Sequence, residues 1–142
     1  MVKKRIKRNL NPPNITEKTF RKYPILVTYD LPTLMKRSPK GYRVHSKGSE
    51  YLRRYVLRKI NELISKGEAI RLQQSVFLMT PSASEEFQIF YTNLAREPWK
   101  VLENTRLERW EQIKWEKIFR KADLFFRLIV ISVGDLVFYT GG

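Results

Sequence analysis

The apolar periodicity of the chain runs strand, helix, strand pair, helix, strand. That order predicts an α+β fold, a ferredoxin-like split βαβ (βαββαβ) sandwich. Two further observations agree with it. A helix joins the first strand to the next, so those two strands are expected to run parallel with a right-handed crossover. The chain has 142 residues, 42% hydrophobic and 13% aromatic, which suffices for one packed core and is short for two domains. One domain is expected over residues 25–142, behind a basic arm over residues 1–24. A C-terminal strand and an extended second helix are added to the basic pattern.

In the arm, Lys3-Lys4-Arg5-Ile6-Lys7-Arg8 cannot bury, and Asn11-Pro12-Pro13-Asn14 breaks regular structure. Residues 25–30 (ILVTYD) form a short apolar run with β-branched Val27 and Thr28, which suits a buried strand. Residues 31–48 read as a long basic loop, because two prolines and two glycines forbid a continuous helix. Ser49 is placed to cap a helix over residues 50–66, where Leu52, Tyr55, Val56, Ile60, Leu63 and Ile64 form one stripe. Gly67 stops it. Residues 69–79 alternate, with Ile70, Leu72, Val76 and Leu78 on one side, and break near Gln73-Gln74. Pro81 ends that pair. Ser82 and Glu85 then match a capping box ahead of the stripe Phe87, Phe90, Tyr91, Leu94. Pro98 interrupts, and residues 99–121 resume helical character with Trp99, Leu102, Trp110, Ile113 and Ile118. Residues 124–133 are nearly all apolar and suit a central strand. Gly134-Asp135 is a two-residue turn into a return strand from Leu136 to Tyr139.

The formal net charge is +14. Residues 1–60 hold 17 Lys and Arg against three acids, Glu17, Asp30 and Glu50, whereas residues 61–142 hold eleven of each sign. All of the surplus therefore lies in the first 60 residues. Such asymmetry favours a polyanionic partner, nucleic acid ahead of a membrane surface, since residues 1–24 lack the apolar face of a membrane-bound helix. The absence of cysteine excludes disulfides and thiolate metal sites. No apolar run reaches the ~18 residues of a membrane span, and no signal-peptide stretch follows the basic N-terminus, so a cytoplasmic location is expected.

A single histidine, His45, excludes nucleases that pair two histidines on one strand, and no Gly-rich phosphate loop is present. RNA-recognition domains carry a Lys/Arg-Gly-aromatic motif, which is absent from Gln74-Ser75-Val76-Phe77-Leu78, where Phe77 is the lone candidate stacker. A carboxylate remains. Asp30, at the end of the first strand, could bind Mg²⁺ and so activate water for phosphodiester hydrolysis. One aspartate is too little for a tight site, and a dimer would double it. The plainer alternative makes Asp30 a turn cap before Leu31-Pro32, or an ion-pair partner of the basic loop. Glu85 and Glu86 read as helix-opening charges, Asp123 and Asp135 as turn residues, and the aromatics of residues 99–119 as core or dimer surface.

Tyr29-Asp30 at a strand end, a basic helix, and Gln74-Ser75-Val76-Phe77 before a capped helix together resemble the small ferredoxin-like adaptation subunit of CRISPR systems. That fold group includes virulence-associated toxin nucleases. The resemblance spans residues 25–32, 49–94 and 124–140. It implies a homodimer with Asp30 near the dimer axis, serving as metal ligand in nuclease members. It also implies duplex DNA clamped by basic side chains, and a last strand at 136–140 that pairs with a partner subunit. The arm, the 31–48 loop and the extension beyond Pro98 depart from the family pattern.

Three functions stand open at this level. The first is a homodimer that binds nucleic acid, duplex DNA ahead of RNA, with little sequence preference. Its contacts would be Lys36, Arg37, Lys40, Arg43 and Lys47 in the loop and Arg53, Arg54 and Arg58 on the helix. The second is a Mg²⁺-dependent endonuclease with Asp30 as catalytic residue and metal ligand. The third is a protein-interaction module of a mobile element, docking through its aromatic second helix.

Overall fold

The computed structural model of the chain describes residues 15–134. The start of the basic arm and the return strand expected at Leu136–Tyr139 lie outside the described residues.

Two strands form the middle of a four-stranded sheet: β1 (Ile25–Asp30) and β5 (Val76–Met79). They are flanked by β4 (Ala69–Gln73) and β6 (Arg127–Ser132), giving the order β4-β5-β1-β6 with every neighbouring pair antiparallel. Since β1 and β4 both run against β5, they run parallel to each other, as the helical crossover requires. That crossover is α2 (Lys47–Ser65). From β5 to β6 the chain passes through α3 (Pro81–Arg96), α4 (Pro98–Leu102), α5 (Arg109–Phe119) and α6 (Ala122–Phe125). No helix among the described residues is long and apolar enough to cross a membrane.

The core lies between one face of the sheet and the helices. Alternation in β1 sends Val27 and Tyr29 inward, and on β5 Phe77, opposite Val27, and Met79, opposite Ile25, share that face. The helical stripes meet them with Leu52, Val56, Ile60 and Leu63 from α2 and Phe87, Tyr91 and Leu94 from α3, all buried. Each such side chain contributes about 1.5–3 kcal/mol by leaving water. Tyr29 stacks on Phe77 with ring centroids 6.1 Å apart. Phe77 is fully buried, so it is not free to stack on a base.

Gly67 adopts φ +73° and closes α2 with its N–H on the Ile64 carbonyl at 2.9 Å, and β4 and β5 break at residues 74–75, both as the sequence predicts. Other boundaries differ. Helix α2 starts at Lys47 because Ser46 is its cap, the Ser46 hydroxyl accepting the Ser49 N–H at 3.3 Å. Ser49 serves another role and accepts the Leu34 N–H at 2.6 Å. Helix α3 is capped by Thr80, whose hydroxyl accepts the Ala83 N–H at 3.1 Å, and not by the Ser82–Glu85 box. Pro81 opens this helix, since its fixed φ and missing N–H suit a first turn.

The basic segment 31–48 is not a plain loop. It holds a hairpin of β2 (Met35–Arg37) and β3 (Arg43–His45), turned at Gly41 with φ +93°. The helical stretch expected over 99–121 is broken at 103–108, where the Thr105 hydroxyl and N–H both take the Leu102 carbonyl, at 2.6 and 2.9 Å. The face of α5 that packs inward is Glu111 and Trp115, so Ile113 is 44% exposed, and Trp99 on α4 is 40% exposed. Residues 124–125 belong to α6 and not to the last strand. Within the stretch expected to be arm, α1 (Glu17–Lys22) forms, and the adjoining Tyr23 is buried with its hydroxyl donating to the Gly67 carbonyl at 2.8 Å.

Candidate nucleic-acid interface

At the end of β1 the alternation that buries Tyr29 turns Asp30 outward into solvent. The Asp30 carbonyl is held by the Tyr91 hydroxyl. Burial pushes the Tyr91 phenol up, the Arg127 backbone N–H acts the other way, and the Asp30 charge adds to the rise. The Asp30 carboxylate forms no ion pair among the described residues, although Arg127 lies opposite it in the strand register. No three of His, Asp and Glu come together there either, again among the described residues.

Asp30 lines a cleft of about 220 Å³ together with Tyr29, Arg53, Arg71, Gln74 and Ser75. Arg53 comes from α2 and is held by Glu50 at 2.7 Å. Arg71 comes from β4 and is fixed by two backbone carbonyls, Gln73 at 3.3 Å and Gln74 at 3.0 Å, above the Phe77 ring. Arg71 was not among the residues singled out from the sequence. Its one signal there is a cation between the apolar Ile70 and Leu72, which places it on the opposite side of the strand from them.

The hairpin stands at the start of α2, anchored by the Leu34 N–H on Ser49 and by the Ser46 N–H on the Leu34 carbonyl at 2.8 Å. Arg37 and Arg43 are cross-strand partners in its register. Like charges placed directly opposite are destabilising. Neither has an acidic partner among the described residues, and nor do Lys36 and Lys40, all four being exposed. His45 ends the hairpin, exposed, and its charge contributes to lowering the Glu50 carboxyl.

The remaining residues singled out from the sequence diverge. Arg54 reaches Glu50 at 3.5 Å. Arg58 is exposed further along α2. Lys47 turns to the Arg106 carbonyl at 3.1 Å, joining the hairpin side of α2 to the segment before α5. Glu86 pairs with Lys59 across α2 and α3 at 3.5 Å. Asp123 lies in the first turn of α6, and Asp135 is outside the described residues. The structure thus gathers Asp30 and Arg53 in one cleft and places Lys36, Arg37, Lys40 and Arg43 on one hairpin. It leaves Lys47 engaged elsewhere.

No protein-family model, curated protein or solved structure matches this chain.

Proposed function

We propose that the protein is a nucleic-acid-binding module, acting as a homodimer on duplex DNA with little sequence preference. One observation carries this reading. Arg37 and Arg43 face each other across the hairpin, and neither forms an ion pair among the described residues. A protein held in that state alone gains nothing from the repulsion, and a bound polyanion relieves it. The distribution of charge supports the same reading, since the first 60 residues carry the whole surplus. The strand order and orientation are compatible with a ferredoxin-like sandwich, the fold of the CRISPR adaptation subunit that the sequence resembles.

Phosphate contacts from Lys and Arg give affinity without sequence information. If six to ten phosphates are neutralised, affinity falls by about 10³ to 10⁵ between 50 and 200 mM salt. Binding of labelled single- and double-stranded DNA and RNA across a salt series tests this, and salt-independent affinity overturns it.

A second reading has its own observation: Asp30 is exposed, forms no ion pair among the described residues and lines the same cleft as Arg53 and Arg71. That setting suits a Mg²⁺-dependent nuclease in which two copies of Asp30 share the metal. Incubation of duplex with Mg²⁺ separates the two readings. Products that vanish with EDTA and with Asp30→Ala establish the nuclease, while a duplex that stays uncut and is bound at least as well by Asp30→Ala removes it.

A further inference from the structure

We propose that the cleft at the end of β1 is a seat for one phosphodiester group, held between the guanidinium groups of Arg53 and Arg71. This rests on the nucleic-acid-binding reading and adds to it residues from β1, β4 and the β4–β5 turn.

Both guanidinium groups are fixed before any ligand arrives. Arg71 spends two bonds on the Gln73 and Gln74 carbonyls, and Arg53 one on Glu50. A guanidinium has five N–H donors, so most of each remains for a ligand. Fixing them in advance reduces the entropy lost on binding. Tyr29 forms part of the wall. Burial raises its phenol, while the charges of Arg71 and Arg53 act in the opposite direction, so its hydroxyl is a neutral donor within the field of both cations. Gln74 and Ser75 of the turn also line the cleft.

Charge and size select the ligand. The lining carries two cations and one carboxylate, Asp30. With Glu50 on Arg53 as well, the charges at the cleft sum to zero, which disfavours a phosphomonoester, at about −1.5 to −2 at pH 7, more than a singly charged diester. A cleft of about 220 Å³ is smaller than the ~300–1,000 Å³ of pockets that enclose whole small molecules. It has room for a backbone phosphate and leaves the nucleoside outside. Asp30 works against the anion here, so its neutral isostere binds more tightly, the reverse of what a nuclease requires.

The test uses the full chain with arginine side-chain Nε–H signals followed by NMR. Dimethyl phosphate shifts Arg53 and Arg71 together and leaves Arg58 unmoved, and Asp30→Asn strengthens that binding. Arg71→Gln removes the shift, weakens duplex binding roughly tenfold and lowers the salt slope by about one. Ser75→Asp does the same with both arginines intact, and unchanged melting temperatures show that the variants fold. If Arg71→Gln folds and binds duplex as the wild type does, the seat is overturned and the nucleic-acid reading stands. If dimethyl phosphate shifts both arginines but no duplex binds, the seat stands and the functional reading fails. Tighter binding of inorganic phosphate than of the diester overturns the assignment to a diester.

Discussion

Glu111 is a carboxylate buried in the middle of the protein, only 3% exposed. One of its oxygens accepts both the Gly48 N–H at 2.6 Å and the Trp115 indole N–H at 2.9 Å. Gly48 belongs to the first turn of α2, where backbone N–H groups have no partner within the helix and the dipole favours negative charge. Glu111 therefore does for α2, from 63 residues away, what a local acid does at most helix starts. Glycine is required at 48 for space: a Cβ there would lie 2.5 Å from Trp115 Nε1 and 2.7 Å from Glu111 Oε2. Gly48→Ala is expected to destabilise by about 1–3 kcal/mol in urea unfolding, from overpacking. Tyr91→Phe removes the donor to the Asp30 carbonyl and costs about 1–3 kcal/mol if that carbonyl is left dry. Because burial raises the Tyr91 phenol, the stability of the neutral form is complete below the ordinary tyrosine value of about 10. It is lost as pH rises through the raised folded value. Alkaline unfolding followed by phenolate absorbance should therefore flatten in Tyr91→Phe.

Among the elements, the β2–β3 hairpin and the first turns of α2 set their own charge against stability. Arg43→Glu replaces a like-charged cross-strand pair by an attractive one. The hairpin then gains up to about 1 kcal/mol, while duplex affinity falls. Opposite signs in thermal melting and in DNA binding are the outcome to look for, and a loss in both would tie the arginines to folding alone. On α2, the hydrogen bond from Arg53 is the main cause holding the Glu50 carboxyl below its ordinary value, ahead of the charges of Arg53, Arg54 and His45. The ion pair therefore contributes its stability above the ordinary glutamate value of about 4.3 and loses it as pH falls through the lowered folded value. Exposed pairs of this kind contribute little. The clearer effect is on binding, since protonating Glu50 removes a negative charge beside Arg53 and Arg54 while its carbonyl oxygen can still accept from Arg53. Duplex affinity should rise through that acid range, and Glu50→Gln should bind more tightly than the wild type at neutral pH, with a smaller rise on acidification.

At the scale of the whole molecule, a charge of +14 repels itself in the folded state. Added salt screens that repulsion, so moderate salt should raise the melting temperature by a few degrees in the same range where it weakens nucleic-acid binding. Saturating duplex at low salt should raise the melting temperature by mass action. A melting temperature that falls with salt would mean that the cations are balanced within the fold.

Local sequence was enough to determine the two helical stripes, the Gly67 stop, the break between β4 and β5, and the place of Asp30 at the end of β1. Each follows from a period or a residue type acting over a few positions, which is the range over which backbone geometry repeats. The caps were less legible, because Ser46 and Ser49 are equally good by type, and a contact from Leu34 decides which one is used. The meeting of Arg71 with Arg53 and Asp30, and the burial of Glu111 on Gly48, belong to the tertiary structure alone. Strand order sets β4 parallel to β1 with β5 between them, and no pattern in the intervening residues encodes that approach. Periodicity fixed the buried faces of α2 and α3 but not that of α5, where Glu111 and Trp115 pack inward, and packing between elements fixes which charged groups share a cleft.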